Sequence, residues 1–203
     1  PGTFADEVLV PRRNVVPLPE GMSMTDAACM PTAWLTAYRM LFTQASLQPG
    51  STVLVQGAGG GVATALVVLG AAAGYRMWVT SRDEAKRAAA LSLGADAAFE
   101  SGQRLPERVD GVMETVGKAT WTHSVRSVKP GGCVVISGAT SGYVAETELS
   151  RVFFLQLRIV GSTMGTRDEL ERLLTFSAVR GVQPVIDRVL PMDQAADAFS
   201  ALA

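Results

Sequence analysis

Histidine and cysteine are nearly missing from this sequence: there is one of the first and two of the second in 203 residues. Cys29 and Cys133 are too few for a disulfide framework and lack the paired spacing of a zinc knuckle, so a reducing, cytoplasmic setting is expected. A charge surplus is missing as well. Eighteen basic residues stand against nineteen acidic ones, for a net charge of −1, which leaves no electrostatic footprint for a nucleic-acid backbone or an anionic membrane. The expected partner is a small-molecule substrate.

Long apolar runs are also lacking. Ser51 to Tyr75 carries no charge, but Gly57, Gly59, Gly60, Gly61, Gly70 and Gly74 interrupt it, and a spanning helix needs about 20 continuous apolar residues. The first residues form no signal peptide, because Asp6, Glu7, Arg12 and Arg13 fall where an apolar core would lie. The absence of an initiator Met points to a fragment or a processed product. What remains, 48% apolar and 18% charged, is the composition of an ordinary globular domain.

Strand and helix signals alternate along most of the chain, the pattern of a doubly wound parallel α/β sheet covered on both faces. The expected strands are Thr52 to Val55, Tyr75 to Thr80, Ala97 to Phe99, Asp110 to Glu114, Cys133 to Ser137 and Leu157 to Thr163. Helices are expected over Val62 to Ala73, Asp83 to Leu93, Lys118 to Val128 and Thr166 to Val179, the last opened by a Thr166/Glu169 capping box. Pro1 to Pro19 reads as β-like. Thr25 to Ala45 reads as helical pieces with Pro31 at a first helical position, and Asp193 is placed to cap a final helix running into Ala203.

The segment Val53-Leu54-Val55-Gln56-Gly57-Ala58-Gly59-Gly60-Gly61-Val62-Ala63 sets glycines between a buried strand and an apolar helix. Free amide donors and the helix dipole there favour an anion, and the small Ala63 allows close helix–strand packing, so the site has the form of a pyrophosphate cradle. An ordinary tight turn is the alternative. After the next strand an acid would bind the ribose of NAD, but the residues are Thr80-Ser81-Arg82. Arg82 offers a fork suited to the 2′-phosphate of NADP, and Lys86 adds charge one helical turn on. The competing reading makes Ser81 and Glu84 a capping box, with Arg82 and Lys86 as solvated surface charges.

These motifs, together with Gly2-Thr3-Phe4-Ala5, Val15 to Gly21, Leu35-Thr36-Ala37-Tyr38, Leu93-Gly94-Ala95-Asp96 and Gly161-Ser162-Thr163-Met164-Gly165, resemble the medium-chain dehydrogenase/reductase superfamily. The likeness is to its quinone oxidoreductase-like and zinc-type alcohol dehydrogenase-like members. It implies a Rossmann domain over residues 23–203, cut short at its C-terminus, and residues 1–22 as the end of a mostly absent catalytic, GroES-like domain. The implied activity is NADP(H)-dependent hydride transfer with a carbonyl, alcohol, quinone or activated alkene, the cofactor supplying the chemistry. By the same resemblance Gly60, Gly61 and Val62 face the pyrophosphate, and Ser81, Arg82 and Lys86 the adenosine phosphate. Thr115 and Ala139 approach the cofactor from later strand tips, and Thr36 lies near the nicotinamide. Catalytic residues remain unassigned.

In the family's zinc-dependent alcohol dehydrogenases a cysteine ligand falls where this chain has Thr32, which is not an N/S ligand. No catalytic zinc is therefore expected, with Cys29 read as a buried small hydrophobe. The resemblance also implies a homodimer joined along the edge near Leu157 to Thr163.

Other constellations carry less. His123 has no ligand or nucleophile nearby in sequence and reads as a surface residue. Gly117-Lys118-Ala119 lacks the spacing and the hydroxyl of a nucleotide loop, and Glu114 is either a ligand-facing acid at a strand end or a solvated one. A non-catalytic dinucleotide-binding module is the alternative function. Methyl transfer from S-adenosylmethionine fits less well without the ribose-binding acid.

Overall fold

A computed structural model describes residues 3–201, so Pro1, Gly2, Leu202 and Ala203, at the ends of the N-terminal motif and the final helix, lie outside the described residues. Six strands form one parallel sheet: β1 (Thr52–Gln56), β2 (Arg76–Thr80), β3 (Ala97–Phe99), β4 (Val109–Glu114), β5 (Val128–Ile136) and β6 (Arg158–Gly161). Their order is β3-β2-β1-β4-β5-β6, with every pairing parallel. Reversal of the strand order beside β1 opens a crevice at the strand carboxyl ends, where such sheets bind ligands.

Both faces are covered, as the largely apolar central runs of the strands require. Val53 and Val55 of β1 face one core with α2 (Leu35–Tyr38), α3 (Gly61–Ala72) and α7 (Arg167–Arg180). Leu54 faces the other with Trp78, Val112, Val134 and Trp121 of α5 (Lys118–Ser127). Helix α3 buries Leu66 and Leu69 completely, each contributing about 2 kcal/mol relative to exposure. Helix α4 (Glu84–Ser92) packs against β2 and β3, and α6 (Leu149–Phe154) adds Val152 to the second core.

Several local expectations need correction. The segment before residue 23 has no strand among its described residues, only a 3-10 turn at Arg12–Asn14; without a sheet partner, its β-favouring residues stay irregular. The helical pieces form one run in which α1 (Met24–Cys29) and α2 alternate with π turns at Met30–Trp34 and Arg39–Gln44, with Pro31 at the start of the first π turn. Asp193 lies inside a 3-10 turn, and α8 (Ala195–Ser200) starts after Gln194 with no side-chain cap. Strand β5 begins at Val128, and a register shift between Val109 and Gly111 absorbs the Pro130-Gly131-Gly132 stretch. Among the described residues no helix is long and apolar enough to cross a membrane.

Candidate cofactor site

The crevice is floored by the turn from β1 into α3. Gly57 and Gly59 have φ of +80° and +98°, and a Cβ would lie 2.6 Å from Val116 Cγ2 at Gly57 and 2.6 Å from Lys86 Cδ at Gly59. Both left-handed backbone and close approach therefore require glycine at these two positions. The amides of Gly57 and Ala58 donate to the Thr80 carbonyl at 3.1 and 2.8 Å, tying the turn to the tip of β2.

Gly60 is the N-cap of α3 in extended conformation. No side chain caps this helix, and no acid sits in its first turn. A Cβ on Gly60 would meet nothing within 4 Å, whereas one on Gly61 would lie 3.3 Å from Ala33. The end of a 12-residue helix thus presents free amides and its positive dipole end to an open hollow. Val62 is half-buried and packs into the core.

At the tip of β2, Ser81 is buried. Its amide donates to the Phe99 carbonyl at 3.1 Å, and its carbonyl accepts from Arg87 Nη1 at 2.7 Å. The predicted Ser81/Glu84 capping box does not form. Asp83 is the N-cap of α4, and its Oδ1 accepts from the amides of Ala85 and Lys86 at 2.8 and 3.2 Å, because its short carboxylate lies at the geometrically favoured position. The acid nearest the strand tip is therefore engaged with backbone. Arg82 and Lys86 are exposed and belong to none of the ion pairs among the described residues, and the Lys86 stem crosses Gly59.

Thr115 follows β4 and donates through Oγ1 to the Gln56 carbonyl at 3.2 Å. Ala139 lies half-buried after β5, its carbonyl accepting from Gly142 N at 3.0 Å. Thr36 is buried on α2, donates to the Thr32 carbonyl at 2.8 Å, and lies 4.0 Å from Met164 Sδ. The fold thus gathers the glycine turn with Ser81, Arg82 and Lys86, and sets Thr115 and Ala139 at the tips of β4 and β5. Thr36 approaches from the helical run that touches α3 through Ala33.

Two acids with lowered carboxyl pKa values frame the domain rather than the crevice. Burial alone would raise Glu169, but bonds from the Thr166 amide, the Thr43 hydroxyl and Arg39, with the charge of Arg39, hold its carboxyl below the usual range. Burial likewise opposes Asp110, and Lys129 and the Thr52 amide overcome it. Cys29, expected to be a buried small hydrophobe, is exposed, because it ends a short helix on the outer side of the helical run; partial desolvation first and the Asp26 charge second push its thiol up. Among the described residues no three His, Cys, Asp or Glu side chains form a ligand cluster.

Sequence reasoning missed a polar network beneath this crevice. Glu114, read as ligand-facing or solvated, is fully buried; its Oε1 accepts from the amides of Val116 and Gly117 at 2.8 and 3.0 Å. His123 is half-buried rather than on the surface, with Nδ1 2.9 Å from Gln56 Nε2. The available signal was Gln56 itself, a polar residue that follows the apolar run Val53-Leu54-Val55 of a buried strand.

The family model described as zinc-binding dehydrogenase matches residues 61–178. A zinc-type alcohol dehydrogenase-like protein, YogA, of Leptosphaeria maculans is 30% identical over 99% of this chain and 60% of its own length. An NAD-dependent alcohol dehydrogenase structure is similar with a TM-score of 0.86 and 32% identity, covering 99% of this chain and 62% of that one. The quinone oxidoreductase of Thermus thermophilus, whose structures include an NADPH complex, gives a TM-score of 0.81 at 32% identity over 99% of this chain and 70% of that one. The chain spans little more than half the length of the first curated relatives it matches.

Proposed function

This chain belongs to the medium-chain dehydrogenase/reductase superfamily, and from that premise we propose that it is the dinucleotide-holding part of an NADP(H)-dependent oxidoreductase. The observation that carries the reading is the turn into α3, where two positive-φ glycines, an uncapped helix start and open space at Gly60 form a cradle for a pyrophosphate. NADP(H) is preferred over NAD(H) because Asp83 is engaged in capping α4, while Arg82 and Lys86 carry positive charge without ion-pair partners among the described residues. A neighbour that binds NADPH supports this choice, and an NAD-dependent neighbour supports the alternative.

In this reading the α3 amides, with Gly60, Gly61 and Val62, hold the pyrophosphate. Ser81, Arg82 and Lys86 hold the adenosine phosphate, Thr115 and Ala139 line the strand tips, and Thr36 borders the nicotinamide end. The bound cofactor supplies hydride chemistry; the chain binds and orients it and shields it from water along the apolar floor. The substrate class is a carbonyl or alcohol, a quinone or an activated alkene. Zinc independence is part of the proposal, supported by Thr32 at the position where the resemblance sets a cysteine ligand. We place the protein in the cytoplasm on its two free thiols.

Hydride transfer is tested by supplying 4,4-dideuterated NADPH, with a panel of enals and aldehydes, to the polypeptide that carries this chain, and by following NADPH oxidation with quinones, whose reduced hydroxyls exchange with water. Label on carbon in the reduced enal or aldehyde, or acceptor-dependent NADPH oxidation with a quinone, is expected. Tight cofactor binding without transfer to any acceptor would favour a non-catalytic dinucleotide-binding module.

A further inference from the structure

Beneath the glycine turn, Gln56 is fully buried at the end of β1. Its Oε1 accepts from Thr80 Oγ1 at 2.5 Å, and its Nε2 lies 2.9 Å from both His123 Nδ1 and Ser124 Oγ. Ser124 Oγ in turn donates to Glu114 Oε2 at 2.5 Å. We propose that Glu114, Ser124, Gln56 and His123 form a directional hydrogen-bond relay that fixes the imidazole as its neutral Nε2–H tautomer and positions the start of the glycine turn for the dinucleotide. The positioning role rests on the dinucleotide reading above.

The direction follows from donor counting. A carboxylate only accepts, so the single hydroxyl proton of Ser124 goes to Glu114, and Ser124 must then accept from Gln56. That assigns Nε2 to the side of the Gln56 amide facing Ser124 and His123, leaving Nδ1 as an acceptor. The far side of the ring gives the same answer independently: Nε2 of His123 lies 2.8 Å from the Gln103 carbonyl, which can only accept. A proton on Nδ1 would have to face the Gln56 amide hydrogens. Turning the amide over would instead set its oxygen against the lone pairs of Ser124.

Gln56 transmits this order to the crevice. Its carbonyl accepts from Thr115 Oγ1 at 3.2 Å, and Thr80, which it holds by the hydroxyl, receives the Gly57 and Ala58 amides on its carbonyl. His123 touches no part of the cradle and acts through Gln56, so it is a positioning residue.

Because the chain has one histidine, long-range proton–nitrogen NMR of the imidazole reads the tautomer without ambiguity, and NADPH titration of the same samples reads the crevice. Wild type should show Nε2–H, and Ser124→Ala should retain it, because the Gln103 carbonyl still takes the Nε2 proton. NADPH affinity should fall about five- to tenfold in Ser124→Ala and His123→Phe, the scale of one buried hydrogen bond, although each side chain makes two in the relay. His123→Gln, which can offer a carbonyl to Gln56, should recover most of it. An Nδ1–H tautomer in wild type, or NADPH affinity unchanged in His123→Phe, would overturn the relay. Failure of wild type to bind either NADPH or NADH, with the tautomer as expected, would instead overturn the dinucleotide reading and the positioning role with it.

Discussion

Gly59 and Gly60 stand side by side under different constraints. At Gly59 both the backbone angle and the Lys86 stem exclude a side chain, whereas Gly60 has φ of −81° and free space around it. Asp is a better N-cap than Gly by only a few tenths of a kcal/mol, so Gly60→Asp should unfold in urea at the same or a slightly higher midpoint. The same carboxylate would occupy the hollow and repel a pyrophosphate, so NADPH affinity should fall at least tenfold; unchanged affinity would remove the phosphate from this helix end. The turn glycines were legible in the sequence because their requirement is local. His123 and Glu114 were not, since their partners Gln56, Ser124 and Gln103 lie on other elements that only the fold brings together. The choice of Asp83 over Ser81 as the α4 cap was a competition between two good capping residues that sequence spacing alone does not decide.

Helix α7 shows how one element is anchored twice. The predicted capping box is present: Thr166 Oγ1 accepts from the Glu169 amide at 3.2 Å, and Glu169 Oε2 accepts from the Thr166 amide at 2.7 Å. Glu169 also accepts from Arg39 Nη1 and Thr43 Oγ1, each at 2.7 Å, joining α7 to the helical run before the sheet. Replacing it removes the acceptor from Arg39, the Thr43 hydroxyl and the Thr166 amide while the Thr166 hydroxyl still caps the turn, so Glu169→Ala should cost about 3 kcal/mol in urea unfolding. Because the folded carboxyl titrates below its ordinary value of 4.5, its contribution is complete above that range and is lost as pH falls through the lowered value. Stability measured from pH 7 downward should therefore drop more steeply in wild type than in Glu169→Ala; parallel curves would contradict this. Strands and helices of the doubly wound core were legible because burial on both faces imposes short apolar runs, with charges confined mostly to strand ends, and the turns carry Gly or Pro. The π turns and the bulge entering β5 were not, since they arise from packing rather than from any local signal.

At the scale of the molecule, the sheet ends at β6, an edge strand whose Ile159 is more than a third exposed, near the exposed Phe153 and Phe154. An unpaired apolar edge invites pairing with a second copy, and we propose a homodimer joined there. Sedimentation should give twice the 21.4 kDa chain mass, and Ile159→Lys should return it to the monomer; a monomeric wild type would contradict the proposal. The parallel order and its crevice follow from the alternation of elements in the sequence, whereas substrate choice is not legible, because pocket shape rather than fold sets it.

The crevice beside β1, in the reading proposed above, holds a dinucleotide with a phosphate on its ribose. Calorimetric titration of the wild-type chain and of Arg82→Ala with NADPH and NADH tests this most directly. The prediction is tighter binding of NADPH than of NADH, with Arg82→Ala losing about tenfold in NADPH affinity, the contribution of a charge-assisted contact, and leaving NADH unchanged. Equal affinities for the two cofactors, insensitive to Arg82, would contradict the phosphate assignment, and no binding of either would contradict the cradle itself.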